Sequence, residues 1–330
     1  MNDEVLRIKN LSGGYLVKRD NTLDYIDAVN DVNIIIKRDE VFGIAGESGC
    51  GKSTLLKLLY GYVKSPLIIK KGEVLLSEST NYYLNILSLK NEEVKKKIWW
   101  KYISWIPQNS MNVLNPTIRI KDHFLEILRM HMKIERDEAH KLIVEYLGLL
   151  GLSKDIVNAF PHQLSGGMRQ RIIIALALIT RPKIVLADEP TTALDVVVQR
   201  GILQWLGYKQ RELKNTMIIV SHDLSIHAML SKRIGIMYAG KIVEISRSEN
   251  IFEKPLHPYT QLLLSSLPRL GDKSLRIGIT GSPPDLIRPP LGCRFHPRCP
   301  YCIERCIIEE PDLTEAEKDH FIACSRIEKR

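Results

Sequence analysis

The 330-residue sequence lacks any apolar run long enough to cross a bilayer: its longest, Ile172 to Ile179, has eight residues, against the ~20 that a membrane helix needs. Its opening stretch mixes Asp3 and Glu4 with Arg7 and Lys9 and offers no apolar core of signal-peptide length. Both absences predict a cytosolic chain that reaches a membrane only through other subunits. Acidic excess is also missing, the net charge being +9. A positive balance can favour nucleic acid or anionic lipid. The sequence nevertheless holds no compact Lys/Arg block interleaved with aromatics, the nearest being Lys95 to Lys97 ahead of Trp99 and Trp100. The charge is therefore read as a solvated surface, and no nucleic acid partner is expected. Cysteine is scarce over most of the chain: of six, five fall in the last 40 residues.

Hydrophobic residues make up 45% and charged residues 26%, which suits a globular chain with room for one large domain and a smaller one. From Val5 to about Ser246, β-rich apolar runs alternate with helical text. Val41 to Ala45, Ile184 to Ala187, Met217 to Val220 and Ile234 to Met237 read as buried strands of a mostly parallel α/β sheet. Strands give way to helix over about 109–165: Ile120, Phe124, Ile127 and Leu128 sit at helical spacing, as do Ala139, Leu142, Tyr146 and Leu150, and these stripes are core faces. After Ser246 the text turns proline-rich, with Pro255, Pro258, Pro268, Pro283, Pro284, Pro289, Pro290 and Pro297. Such a segment does not easily build its own core and needs a staple. The boundary is placed near residue 250, giving 1–250 as the α/β domain with its helical subdomain and 251–330 as a small irregular extension. No internal repeat is present.

Gly46-Glu47-Ser48-Gly49-Cys50-Gly51-Lys52-Ser53 fits G-x-x-x-x-G-K-[ST] between a strand and the helical run Thr54 to Leu59. Glycines let successive backbone N–H groups turn inward around phosphate oxygens, and the helix N-terminus adds positive potential. Lys52 is expected to reach the β- and γ-phosphates and the Ser53 hydroxyl to ligate Mg²⁺. Cys50 is read as filling a variable position. A second strand ends in Asp188 and Glu189, two carboxylates that are costly at an apolar strand end unless a cation waits there. Asp188 is expected to hold Mg²⁺ and Glu189 to polarise the attacking water as general base. In Leu164-Ser165-Gly166-Gly167-Met168-Arg169-Gln170, Ser165 and the glycine pair open a second helix whose N-terminus suits an anion. Since the chain already has one phosphate loop, this site makes sense if it serves a nucleotide held by another subunit.

In these motifs and their order the chain resembles ABC-transporter nucleotide-binding subunits over Val5 to Ser246. Leu164 to Gln170 is similar to that family's signature sequence. The resemblance implies a Q-loop glutamine at Gln108 that senses Mg²⁺, a D-loop at Ala193-Leu194-Asp195, and a switch histidine at His222 that contacts the γ-phosphate. It assigns the adenine-stacking aromatic to Tyr15, with Tyr25 as a rival. It implies a P-loop NTPase core and a dimer that sandwiches two ATP molecules, each between one subunit's phosphate loop and the other's signature.

Leu256-His257-Pro258-Tyr259-Thr260, Gly281-Ser282-Pro283-Pro284 and Cys293-Arg294-Phe295-His296-Pro297-Arg298-Cys299-Pro300 resemble the C-terminal extension of dipeptide and oligopeptide importer ATPases. Met111, Leu114, Asn115 and Pro116 agree. The His257 run is read as structural, with Pro258 fixing a turn. For Cys293, Cys299, Cys302, Cys306 and Cys324, an odd count in a reducing cytosol fits pairing poorly. Soft thiolates crowded in a proline-rich segment suggest an iron–sulfur cluster or Zn²⁺, with free thiols the third reading. The subgroup pattern matches Cys293, Cys299, Cys306 and Cys324 as ligands of a 4Fe–4S cluster and leaves Cys302 extra. The resemblance implies a motor for di- or oligopeptide uptake on the cytoplasmic face of the membrane. Its implied partners are a second ABC ATPase (a heterodimer over a homodimer), two transmembrane permease subunits and an extracytoplasmic substrate-binding protein. Oligosaccharide or nickel uptake is the alternative cargo. A soluble ABC ATPase acting on nucleic acid or ribosomes is the alternative class, and the single nucleotide domain and C-terminal cysteines argue against it.

Overall fold

The computed structural model describes residues 3–19, 22–79, 82–108, 113–191, 194–266 and 278–327; Asn109, where the helical stretch was expected to begin, and Met111, Ala193 and Pro268 lie outside them. Among the described residues, twelve strands (β1–β12) and ten α-helices (α1–α10) are numbered along the chain. Contacts divide the chain into two units, one of residues 1–37, 42–88 and 220–330, the other of residues 38–41 and 89–219. Among the described residues, no helix is long and apolar enough to cross a membrane.

The first unit holds a four-stranded sheet in the order β2-β1-β4-β5, with β1 (Glu4–Arg19), β2 (Thr22–Lys37), β4 (Leu67–Ser79) and β5 (Tyr82–Asn85), all antiparallel neighbours. The expectation of a mostly parallel sheet missed it for a physical reason. Register shifts between Ile8 and Leu11, Leu11 and Gly13, and Gly13 and Tyr15 move the inward set across the pleat, so period-two alternation never runs long enough to read. The same unit carries strands in the order β11-β12-β10-β9-β3: β3 (Val41–Ala45), β9 (Arg233–Tyr238), β10 (Lys241–Arg247), β11 (Thr314–Glu317) and β12 (His320–Ile322). β3 is entirely buried and runs parallel to β9, Phe42 facing Arg233 and Ala45 facing Ile236. β9 returns into β10 through Ala239 and Gly240, both at positive φ, the turn that matches strand twist.

Five helices complete this unit: α1 (Lys52–Leu59), α7 (Leu224–Leu230), α8 (Ser248–Glu253), α9 (Pro258–Ser265) and α10 (Glu304–Ile308). The irregular segment borrows a core instead of building one. Tyr259, Leu264 and Phe295 join Ile234, Ile236 and Tyr238 in one buried cluster. The rings of Tyr238, Tyr259 and Phe295 lie 4.6 to 5.4 Å apart, a favourable tilted arrangement. A polar knot fastens the same region. Glu244 of β10, fully buried, accepts from the amides of Leu256 at 2.8 Å and His257 at 3.1 Å, and pairs with His320 Nε2 of β12 at 2.7 Å. A buried carboxylate is tolerable only when so satisfied. His257 in turn caps α9, its Nδ1 accepting from the Tyr259 amide, with Pro258 at the first helical position. Asp27 of β2 pairs with the buried Arg294.

The second unit holds β6 (Ile103–Ile106), β7 (Ile184–Asp188) and β8 (Thr216–Ser221) in the order β8-β7-β6. Its helices are α2 (Asn91–Lys97), α3 (Ile120–His131), α4 (Arg136–Leu149), α5 (Gly166–Ile179) and α6 (Val196–Leu213). The expected helical stretch is present: α3 buries Ile120, Phe124 and Leu128, and α4 buries Ala139, Ile143 and Tyr146. α5 is apolar around its whole second half, and every residue from Ile172 to Ile179 is buried, as befits an interior helix.

Candidate nucleotide site

In the first unit, β3 ends at Ala45 and α1 begins at Lys52, with the glycine-rich loop between. Two of its glycines are obligatory. A Cβ on Gly51, at φ 108°, would lie 1.9 Å from the Ala28 carbonyl oxygen, and one on Gly46 would lie 2.1 Å from that of Met237. The backbone is thus packed hard from behind, and only glycine leaves it free to curl around a ligand. Lys52 is 6% exposed. Its ammonium donates to the carbonyls of Gly46 and Glu47, both at 2.8 Å, and lies 3.6 Å from Cys50 Sγ. A buried cation over a cradle that side chains would fill is the donor set a triphosphate requires, so the residues present fit ATP. Ser53 and Thr54 follow in the first turn of α1. Cys50 is buried, and burial pushes its thiol up despite the pull of Lys52.

Tyr15 of β1 lies against this turn: its hydroxyl is 3.1 Å from Thr54 Oγ1 and accepts from Lys57 Nζ at 3.4 Å. Tyr25 differs. The Lys70 ammonium sits 3.7 Å over its ring, and burial pushes its hydroxyl up to about 12. His222, in the same unit, follows β8 and is exposed. His227, five residues on, is its opposite: fully buried, with Nε2 3.3 Å from the Ser221 carbonyl and Nδ1 3.3 Å from Ser231 Oγ.

Glu47 is held by partners from far along the chain that no pattern local to it announces. Its amide donates to the Tyr259 hydroxyl at 2.9 Å, and its carboxylate receives two N–H bonds from Arg298 at 2.7 and 3.0 Å. In the sequence Arg298 stands only as one residue of the Cys293–Cys299 run, and its charge between closely spaced cysteines is the one local sign of a buried partner.

In the second unit, β6 and β7 run parallel with Ile106 facing Ala187, so the residues just past both strand ends come together. Gln108 Nε2 donates to Glu189 Oε2 at 3.1 Å. Asp188 is 3% exposed. Glu189 stands at φ 46°, a left-handed conformation that costs energy in a non-glycine residue and is found where function demands it. The signature residues meet the same loop: Gln170 of α5, buried, donates to the Pro190 carbonyl. Ser165 caps α5 by accepting from the Met168 amide at 3.3 Å, and Gly166 and Gly167 form its first turn. A Cβ on Gly167 would come within 3.3 Å of Leu194. Asp195 is exposed, and its carboxylate caps α6 by accepting from the Val198 amide at 2.9 Å.

None of the cysteines of the extension is in a disulfide: Cys306 is buried, Cys293, Cys299 and Cys324 are half-buried, and Cys302 is exposed. Burial pushes Cys293 up to about 12, with Cys306, Cys324 and Cys299 adding to the rise. Burial likewise raises Cys299 and Cys324, again with neighbouring thiols contributing. The four pattern-matched cysteines are therefore near one another. They are not closed around a common point, for among the described residues no group of three or more His, Cys, Asp or Glu is arranged to hold a metal ion.

Comparison with known proteins bears on both segments. The ABC transporter family model matches residues 29–192, and the model of the oligopeptide/dipeptide transporter C-terminal region matches residues 243–306. The dipeptide transport ATP-binding protein DppD of Caldanaerobacter subterraneus is 37% identical over 98% of this chain and 98% of its own length. The oligopeptide transport ATP-binding protein OppD of Escherichia coli is 38% identical over 91% of this chain and 87% of its own. Among solved structures, a dimeric ATP-binding cassette in a post-hydrolysis state with ADP and Pi is similar at a TM-score of 0.64 and 28% identity, covering 74% of this chain and 98% of that one. Because the likeness runs through the nucleotide loops and the cysteine-bearing extension together, the chain belongs to the ATP-binding proteins of ABC transporters, in the branch that carries the oligopeptide/dipeptide transporter C-terminal region.

Proposed function

We propose that this chain is the ATP-hydrolysing subunit of an importer of di- and oligopeptides, bound at the cytoplasmic face of the membrane to two permease subunits. The observation that carries hydrolysis, and not mere binding, is the Gln108–Glu189 hydrogen bond: a carboxylate at a strand end, oriented by an amide, is placed to polarise water. In this reading Lys52 and the loop amides bind the β- and γ-phosphates, Tyr15 stacks on adenine, and His222 contacts the γ-phosphate. Ser53, Asp188 and Gln108 hold Mg²⁺, which neutralises charge developing on the phosphoryl oxygens. Ser165, Gly166, Gly167 and Gln170, with Asp195, serve the nucleotide of a second ATPase subunit. Closure is a population shift, since ATP touches both subunits only when they are together. Tyr15 is favoured over Tyr25 because it lies beside Thr54, whereas Lys70 already covers the Tyr25 ring.

The same reading makes the partner a second, similar ATPase, supplied with cargo by an extracytoplasmic binding protein. It treats 1–250 and 251–330 as nucleotide domain and extension, and gives Cys293, Cys299, Cys306 and Cys324 a 4Fe–4S cluster, with zinc the rival. Mutual proximity of soft donors supports the metal, and the thiols must draw inward to hold it. Iron, sulfide and zinc assays on anaerobically purified protein decide it: a fully folded, metal-free, colourless chain would end both. For the motor itself, the complex is purified from membranes and phosphate release is followed for parent and Glu189→Gln. Turnover should fall by about 10²-fold or more with MgATP still bound. Equal rates would remove Glu189 as base, and failure to purify with permeases would remove the transport role.

A further inference from the structure

All three polar groups of Glu47 are engaged. Its carbonyl accepts from Lys52 Nζ at 2.8 Å, its amide donates to Tyr259, and its carboxylate takes both terminal nitrogens of Arg298. Tyr259 and Arg298 lie 212 and 251 residues downstream, in the C-terminal extension. Neither is loose. Tyr259 is fully buried in the aromatic trio. The Arg298 side chain is 5% exposed; it donates to the Tyr238 hydroxyl at 3.3 Å and to the carbonyls of Thr280 at 3.0 Å and Ile279 at 3.4 Å. A bidentate guanidinium–carboxylate pair fixes angle as well as distance, so residue 47 is gripped from a rigid base.

We propose that Arg298 and Tyr259 are positioning residues for ATP: by holding Glu47 they fix the carbonyl that steadies Lys52 and the first turn of the phosphate loop. The inference rests on the nucleotide reading above and adds to it that affinity is set by the extension. A loop already ordered before ligand arrives spares binding the entropy of ordering it, and a released residue 47 would restore that cost. If Arg298 merely fastened the extension to the sheet, its loss would act independently of Glu47. If it acts through Glu47, the two losses are one loss.

The test is a double-mutant cycle on the full chain, with a fluorescent ATP analogue and Mg²⁺ as probe. Arg298→Met and Glu47→Gln should each raise Kd about tenfold, and the pair should raise it no further. Arg298→Lys, which keeps the charge but not the fork, should recover part of the loss. Tyr259→Phe removes only the hydroxyl and should weaken binding by about threefold; it decides the matter if Arg298→Met does not fold. Multiplicative effects in the double variant, Arg298→Met within twofold of the parent, or an unchanged Tyr259→Phe would overturn the proposal. A parent chain that itself binds no MgATP would instead sink the nucleotide reading.

Discussion

Acid should loosen this protein well above the range in which carboxylates titrate, and two histidines account for it. His227 and His257 are fully buried, and burial pulls both down to about 4 from an ordinary 6.5. Between those values the unfolded chain binds protons that the folded chain refuses, so stability is intact above 6.5 and falls as pH drops toward 4. At about pH 5.5 each histidine contributes a loss of roughly 1.4 kcal/mol, together ~3 kcal/mol. With a urea slope near ~3 kcal/mol/M, the unfolding midpoint should fall by roughly 1 M between about pH 8 and pH 5.5. Glu244 is no confounder. Burial alone would raise it, but His320 and the amides of Leu256 and His257 hold it below 4.5, so its contribution is lost only at lower pH. The assay is urea unfolding by circular dichroism at both pH values for the parent, His227→Gln and His257→Asn. Gln can still donate to the Ser221 carbonyl and Asn still caps α9, so each variant should halve the pH-dependent loss whatever its absolute stability. A parent midpoint that does not move, or variants that track the parent, would refute the reasoning.

Two further substitutions separate shape from charge. Gly51→Ala would place a Cβ 1.9 Å from the Ala28 carbonyl at φ 108°; it should cost ~1–3 kcal/mol in thermal unfolding and abolish MgATP binding by titration. Ser165→Asp keeps the cap on α5, so stability should stay within ~0.5 kcal/mol. The added carboxylate faces an anion site, and phosphate release should fall on the order of a hundredfold; undiminished turnover would deny the signature its nucleotide.

What was legible in the sequence was what lies within a few residues of itself. The phosphate loop declares its chemistry in eight consecutive residues, and the structure places the Lys52 ammonium on the loop's own carbonyls. Gln108 and Glu189 could each be picked out, but the β6–β7 register that joins them is a pairing across 81 residues, which no local pattern encodes. The grip on Glu47 was invisible for the same reason. The extension was expected to need a staple, and thiols were the visible candidates; in the fold, Tyr259, Phe295 and the Glu244–His320 pair already fasten it. His257, read as structural, caps a helix. β1 escaped notice because its bulges scramble the alternation that announces a strand.

Glu244 also ties its strand to a distant part of the chain. Its amide partners follow within 13 residues, but the imidazole arrives 76 residues later. Until His320 is made, Glu244 lacks one of the partners that make a buried carboxylate tolerable. A chain that stopped ahead of residue 320 would therefore leave Glu244 without its imidazole and β10 without the strand that covers its outer edge.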